Sequence, residues 1–203
     1  MKEIKIYSFG ELSDEARDKA CQQVGDSMTD YAGWWYDTFD LFVERCKKYG
    51  MDVDVDDIRF TGFGSQGDGA SFVCDNINTK KLLHTLGIQV SDGLEEKVLD
   101  YIYEVDIIRT SAQAYHEQTV QVELFIDEDA LVEEEEIIQY IIHDIADTLE
   151  FKLEALKDDL CQQLYNELEQ EYDYFHSMEY VDEIAYDNNM LFLANGLVYD
   201  WGE

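Results

Sequence analysis

Proline is missing from all 203 residues, where average usage of about 5% would supply roughly ten. The absence removes helix breakers and rigid turns, and it excludes a Pro-rich linker. Cations are scarce as well: 14 Lys+Arg stand against 47 Asp+Glu, a net charge of −33. Binding nucleic acid by neutralising phosphates needs a basic surface, so that class is excluded. Adhesion to an anionic membrane is excluded for the same reason. No run approaches the ~18 apolar residues that span a bilayer. The opening Met1-Lys2-Glu3-Ile4-Lys5-Ile6-Tyr7 has neither an apolar stretch nor a small-residue cleavage site, so no secretory leader is expected. Cys21, Cys46, Cys74 and Cys161 form no C-x-x-C pair, which reads as reduced, mostly buried thiols in a cytosolic protein. His84, His116, His143 and His176 lack ligand spacing, so neither a metal nor any other cofactor is expected.

What is present supports a core: 46% of residues are hydrophobic and 13% aromatic. Residues 3–9 alternate like a short strand. Ser13 is a good N-cap for a helix running to about Val24. A second helix is expected over Tyr31–Tyr49, where Trp35, Phe39, Phe42 and Cys46 recur at helical spacing and Gly50 supplies the stop. Residues 52–63 and 70–74 read as strands around a Gly-rich turn, 78–86 and 93–103 as helices, and 105–112 and 118–126 as two further strands. From Asp127 the apolar residues Leu131, Ile138, Ile141 or Ile142, Ile145, Leu149, Leu153, Leu156, Leu160 and Leu164 step by threes and fours, or close to it. They mark one long amphipathic helix, or two with a slight break. Asn195-Gly196 signals a terminal hairpin. The expected fold class is α+β: an antiparallel sheet packed by helices, with a long acidic C-terminal helix and a terminal β-hairpin. By composition the chain divides into an α+β core, 1–126, and an acidic helical region, 127–203, packed together as one domain.

The acids are unevenly placed. Residues 127–183 hold twenty Asp+Glu and two Lys, a net of −18, more than half of the total on about a quarter of the chain. Glu136, Asp144, Asp147, Glu150, Glu154 and Asp158 recur largely at helical spacing, with Glu133, Glu134 and Glu135 extending the face. A rise of ~1.5 Å per residue sets neighbouring carboxylates roughly 4.5–6 Å apart. One DNA strand sets its phosphates ~3.4 Å apart. A helix charged in this way approximates the field of a phosphate strand at lower density. Such a surface repels itself, and lysines at i+4 would relieve it cheaply, yet few occur. A charge run is also commonly no more than a solvated helix face.

Other stretches carry weaker signals. Asp52, Asp54 and Asp56 resemble the opening of a calcium loop, but Asp57 and Phe63 stand where that loop needs Gly and Glu. Gly64-Ser65-Gln66-Gly67-Asp68-Gly69 is a tight loop between aromatic strands, with Ser65, Gln66 and Asp68 as candidate ligand-binding groups. It has no Gly-Lys-Ser/Thr and so is no phosphate loop. No His, Cys or Lys adjoins it to supply acid–base chemistry, so a structural hairpin is the favoured reading. Trp34-Trp35-Tyr36 places three large rings in succession, more than one helix face can bury. Leu164 to Tyr174 alternates acids with Tyr and Leu, which suits either a packing stripe or cation–π contact with a partner.

Tyr7-Ser8-Phe9, Glu11-Leu12-Ser13, the stretch Phe60 to Phe72 with Ser65-Gln66-Gly67-Asp68-Gly69-Ala70-Ser71-Phe72 at its centre, Leu164-Tyr165 through Glu171-Tyr172, and the terminal hairpin together resemble a family of small acidic proteins of tailed bacteriophages and prophages. The resemblance implies an accessory phage protein in the host bacterial cytoplasm. It carries over no functional residues. Accessory proteins of this kind include inhibitors of host defence, some of them DNA mimics.

The leading expectation is therefore a non-enzymatic inhibitor of a host nucleic-acid-binding defence system, of anti-CRISPR or anti-restriction type. Its acidic face would occupy the groove of a basic host protein. The rival is a small-molecule or divalent-ion binder, or a weak enzyme, using the Ser65–Ser71 loop near Asp52, Asp54 and Asp56. A scaffolding protein that forms a homodimer through its helix is the third reading.

Overall fold

A computed structural model describes residues 4–31, 33–91 and 93–199. Met1, Lys2 and Glu3, where the first expected strand begins, lie outside the described residues, as does Ala32 of the second expected helix. The elements run β1 (Ile6–Tyr7), α1 (Asp14–Thr29), α2 (Tyr36–Lys48), β2 (Ile58–Phe60), β3 (Ala70–Phe72), α3 (Thr79–Thr85), α4 (Glu95–Tyr101), β4 (Ile102–Arg109), β5 (Val120–Ile126), α5 (Glu128–Leu131), α6 (Glu136–Phe175), α7 (Met178–Asp187) and β6 (Phe192–Leu193). The fold is mixed α+β, as the patterning implies, with two-stranded antiparallel sheets and one very long helix. No helix among the described residues is long and apolar enough to cross a membrane.

The chain forms two compact units, 1–36 with 167–203, and 37–166. The expected division at 126/127 follows acid content. The units instead follow packing, which pairs strands from opposite ends of the chain. α6 supplies 136–166 to one unit and 167–175 to the other.

In the first unit, the Ser13 side chain caps α1 by accepting from the Ala16 N–H, and Ser177 caps α7 by accepting from Tyr180. Phe9, Leu12, Ala16, Ala20, Cys21 and Val24 pack with Val181, Ala185 and Phe192 into the core. β1 pairs antiparallel with β6, Ile6 opposite Leu193 and Tyr7 opposite Phe192. β6 turns back through Asn195-Gly196, where Leu193 N–H donates to Leu197 O at 2.8 Å. Gly196 has φ +88°, and a Cβ there would meet Ala16 O at 2.0 Å. That position requires glycine twice over, for its left-handed backbone and for the approach of the hairpin to α1.

In the second unit, β2–β3 is a hairpin (Ile58 opposite Phe72, Phe60 opposite Ala70) and β4–β5 a longer pair (Val105 opposite Leu124, Arg109 opposite Val120). Cys74, just after β3, exchanges both backbone hydrogen bonds with Ile107 of β4, at 2.9 and 2.8 Å, and ties the two pairs together. Phe42 of α2 meets Phe72 edge-on at 5.1 Å, within a core that includes Met51, Ile58, Leu82, Ile102, Ile107, Leu149 and Leu153.

Several boundaries differ from the expected ones, each for a local reason. The second helix starts at Tyr36, because Gly33 (φ +108°) forms a turn that holds Trp34 and Trp35 outside it. The expected strand over 52–63 shrinks to β2, because Asp54 accepts from Asp56 N–H and caps a 3-10 turn at Val55–Asp57. The β4 strand begins at Ile102, directly after α4. The long helix breaks at 132–135 between α5 and α6, which leaves Glu133, Glu134 and Glu135 in a connector instead of on a helical face. All four cysteines are free and buried.

Candidate functional site

The outward side of α6 carries the acid row. Its inward stripe, Ile142, Ile145, Leu149, Leu153, Leu160 and Leu164, is buried within the second unit. At ~100° per residue, Glu136, Asp144, Asp147, Glu150 and Asp158 fall within an arc of about 120° on the opposite side. All five are exposed. Among the described residues, Glu136, Asp144, Asp147 and Glu150 pair with no cation. The run Asp144-Asp147-Glu150 climbs the helix in steps of ~4.5 Å.

Two members of the expected row are committed to the fold. Glu154 accepts the Val122 N–H at 2.7 Å and pairs with Lys157. Lys157, only 4% exposed, also donates to Val120 O at 3.0 Å and pairs with Asp158 at 3.0 Å. Burial alone pushes the Lys157 ammonium down, but the Glu154 and Asp158 carboxylates outweigh it and hold the ammonium above the ordinary lysine value. Glu134 accepts from Lys97 at 2.6 Å and from the Tyr101 hydroxyl at 2.8 Å, contacts that lower its pKa. It pins the connector to α4. The outward-facing row therefore consists of Glu136, Asp144, Asp147, Glu150 and, at one end, Asp158, with Glu133 and Glu135 exposed on the preceding connector.

Large apolar side chains stand in the same row, which the sequence reading missed. Ile137, Tyr140 and Phe151 are 63%, 70% and 76% exposed. Their positions off the buried stripe were available from the helical spacing, since Tyr140, Asp144, Asp147, Phe151 and Asp158 follow one another at steps of four, three, four and seven.

The Gly-rich loop is a closed turn. Asp68 accepts the Ser65 N–H at 2.6 Å, and Asp68 N–H donates to Ser65 O at 3.1 Å. The Thr61 hydroxyl accepts the Gly69 N–H at 3.0 Å. These bonds fit the hairpin reading. Ser65 and Gln66 point to solvent, while Asp68 also lines a cavity of about 320 Å³. Its other walls come from His116, Glu117 and Gln118 after β4 and from Cys161, Gln162 and Tyr165 of α6. Gly69 makes the close approach possible, since a Cβ there would lie 2.5 Å from His116 Cβ. The Cys161 thiol at the cavity is held at a pKa of about 12 by burial, so it is a poor nucleophile at neutral pH.

Asp52, Asp54 and Asp56 are exposed at the entry to β2, and among the described residues no three His, Cys, Asp or Glu side chains are grouped to hold a metal ion. Trp34 packs edge-on against Phe175 at 6.1 Å and near Tyr172 at 6.3 Å, while Tyr36 is exposed. Arg109 donates to the Ser71 hydroxyl at 3.1 Å and lies 5.0 Å over the Tyr115 ring.

A model of one protein family, described as a domain of unknown function (DUF8835), matches residues 34–178. The chain belongs to this family. The match includes the acid row, the Gly-rich loop and its cavity, and it leaves out α1 and the terminal hairpin of the first unit. No curated protein and no solved structure matches the chain.

Proposed function

We propose that the protein is a non-enzymatic inhibitor from a bacteriophage or prophage. In this reading its α6 face enters the nucleic-acid groove of a basic host defence protein, of the CRISPR or restriction kind, in the host cytoplasm. The supporting observation is the arc of exposed carboxylates, Glu136, Asp144, Asp147 and Glu150, on a single helix, none of them paired with a cation among the described residues. A helix with a buried stripe on one side has no folding requirement for uncompensated charge on the other, and like charges spaced in this way destabilise it. A cationic groove recovers that energy, and long-range attraction makes association fast and salt-sensitive.

The test is capture from host lysate at low and high salt, comparing the wild type with the triple variant Asp144→Asn, Asp147→Asn, Glu150→Gln. The three side chains are exposed, so the variant retains the fold. The expected result is a nucleic-acid-binding protein retained by the wild type at low salt and lost in the variant, whose nucleic acid the wild type displaces. Equal retention by both proteins removes this face from the proposal.

The cavity at Asp68 supports a second reading, a small-molecule binder. Its volume falls at the lower end of ligand pockets. Thermal-shift measurements with calcium, magnesium and a panel of small polar organic molecules test it. A shift that disappears in Asp68→Asn supports this reading, and no shift with any ligand counts against it.

A further inference from the structure

The exposed rings on α6 are not explained by resemblance to a phosphate strand, which offers charge alone. Phe151 and Tyr140 are 76% and 70% exposed, and each stands one helical turn from a carboxylate: Tyr140 from Asp144, and Phe151 from Asp147. Residues four apart on a helix are neighbours on its surface. Each ring and its acid thus form one composite seat, an aromatic face beside a carboxylate. Its chemical complement is a planar cation that stacks on the ring while its edge donates two parallel hydrogen bonds to the acid. Guanidinium meets both conditions, whereas ammonium is compact, more strongly hydrated and cannot present a planar fork. The ring half of this contact occurs within the protein, where the Arg109 guanidinium lies 5.0 Å over the Tyr115 ring and donates to the Ser71 hydroxyl. A second copy of this chain does not suit the face, because two molecules of charge −33 repel.

We infer that α6 docks an arginine-bearing segment of a basic partner protein, and that Tyr140 with Asp144 and Phe151 with Asp147 are two guanidinium seats that select arginine over lysine. The inference rests on the α6 reading above and adds the identity of the side chains it receives.

The experiment is calorimetry of the full chain with two peptides of equal length and charge, one bearing arginine and the other lysine. The wild type is expected to bind the arginine peptide at least about threefold more tightly, as stacking on exposed rings implies. Tyr140→Leu with Phe151→Leu keeps apolar area and helix propensity but removes the ring faces. It is expected to reduce the preference to the part carried by the carboxylates while leaving lysine-peptide affinity largely unchanged, and Tyr140→Phe restores its seat. Equal affinities in the wild type, or a preference undiminished in the double Leu variant, overturn the inference. So does light scattering that shows a homodimer dissolved by the double Leu variant. The two proposals fail separately. Peptide discrimination without displacement of nucleic acid from a captured target refutes the inhibitor reading alone, and displacement without discrimination refutes the arginine seats alone.

Discussion

The ammonium of Lys157 lies against the carboxylate of Glu154, and both groups are also bonded to the backbone of one strand. Lys157 donates to Val120 O and Glu154 accepts from Val122 N–H, so two side chains of α6 satisfy the open edge of β5 much as a neighbouring strand would. This pair holds the helix to the sheet. Lys157→Ala leaves Glu154 without its cation in a half-buried position. The expected loss is about 3 kcal/mol, the low end for breaking a buried pair, because Glu154 keeps solvent and one N–H. Urea unfolding of Lys157→Ala, Glu154→Gln and the double variant measures the coupling. A coupling energy near zero contradicts the assignment.

Gly196 offers a sharper test of the first unit. Alanine there adopts a left-handed backbone and places its Cβ 2.0 Å from Ala16 O, a backbone atom that has nowhere to retreat. Gly196→Ala is expected to cost at least ~2 kcal/mol, through strain and displacement of the hairpin from α1. Ala194, exposed two residues earlier, is the control position, where Ala194→Ser is expected to be neutral. Thermal unfolding of both variants decides the matter.

Asp106 is a stability defect with a predictable pH signature. It stands directly across the β4–β5 ladder from Glu123, and its Oδ1 is buried with no hydrogen-bond partner among the described residues. Burial first, then Glu104, Asp75 and Glu123, raise its pKa above the ordinary carboxylate value. The folded state therefore holds the Asp106 proton more tightly than the unfolded chain does. Stability falls as pH rises from the unfolded value of ~3.9 through the raised folded value. Asp106→Asn removes that slope. The variant is expected to be more stable by about 0.5–1 kcal/mol at pH 7, as for relief of opposed like charges, with the gain disappearing below pH ~3.9. A gain that persists unchanged in acid rules out the electrostatic cause.

How far the sequence reveals these features depends on whether a pattern is local. Ser13, the Asn195-Gly196 turn and the Leu149–Leu164 stripe are legible because caps, turns and 3.6-residue periodicity act over a few residues. The partition of the acids is not. Glu154 and Asp147 occupy similar positions on the helical wheel, and only the arrival of β5 beside α6 turns Glu154 into an anchor while leaving Asp147 exposed. The cavity at Asp68 is hidden for the same reason, since its walls lie some fifty and a hundred residues apart in the chain. Trp35 misled because helical spacing continued through it, while Gly33 held the backbone in a turn.

The exposed acid row is expected to trade stability for binding. Asp144 to Asp147 and Asp147 to Glu150 are like-charge neighbours three residues apart with no described cation near enough to pair, each such contact costing about 0.2–0.5 kcal/mol. The variant Asp144→Asn, Asp147→Asn, Glu150→Gln should then unfold at higher urea than the wild type, by about 0.5–1 kcal/mol at low ionic strength. The margin should shrink as salt rises to ~1 M, where the Debye length is about 3 Å. Equal stability at all salt concentrations means the carboxylates do not interact, and the argument that folding alone disfavours them loses its force. A stabilised variant that has also lost its captured partner locates the row's benefit in binding, because a surface that weakens the fold and holds nothing has no reason to be so uniformly negative.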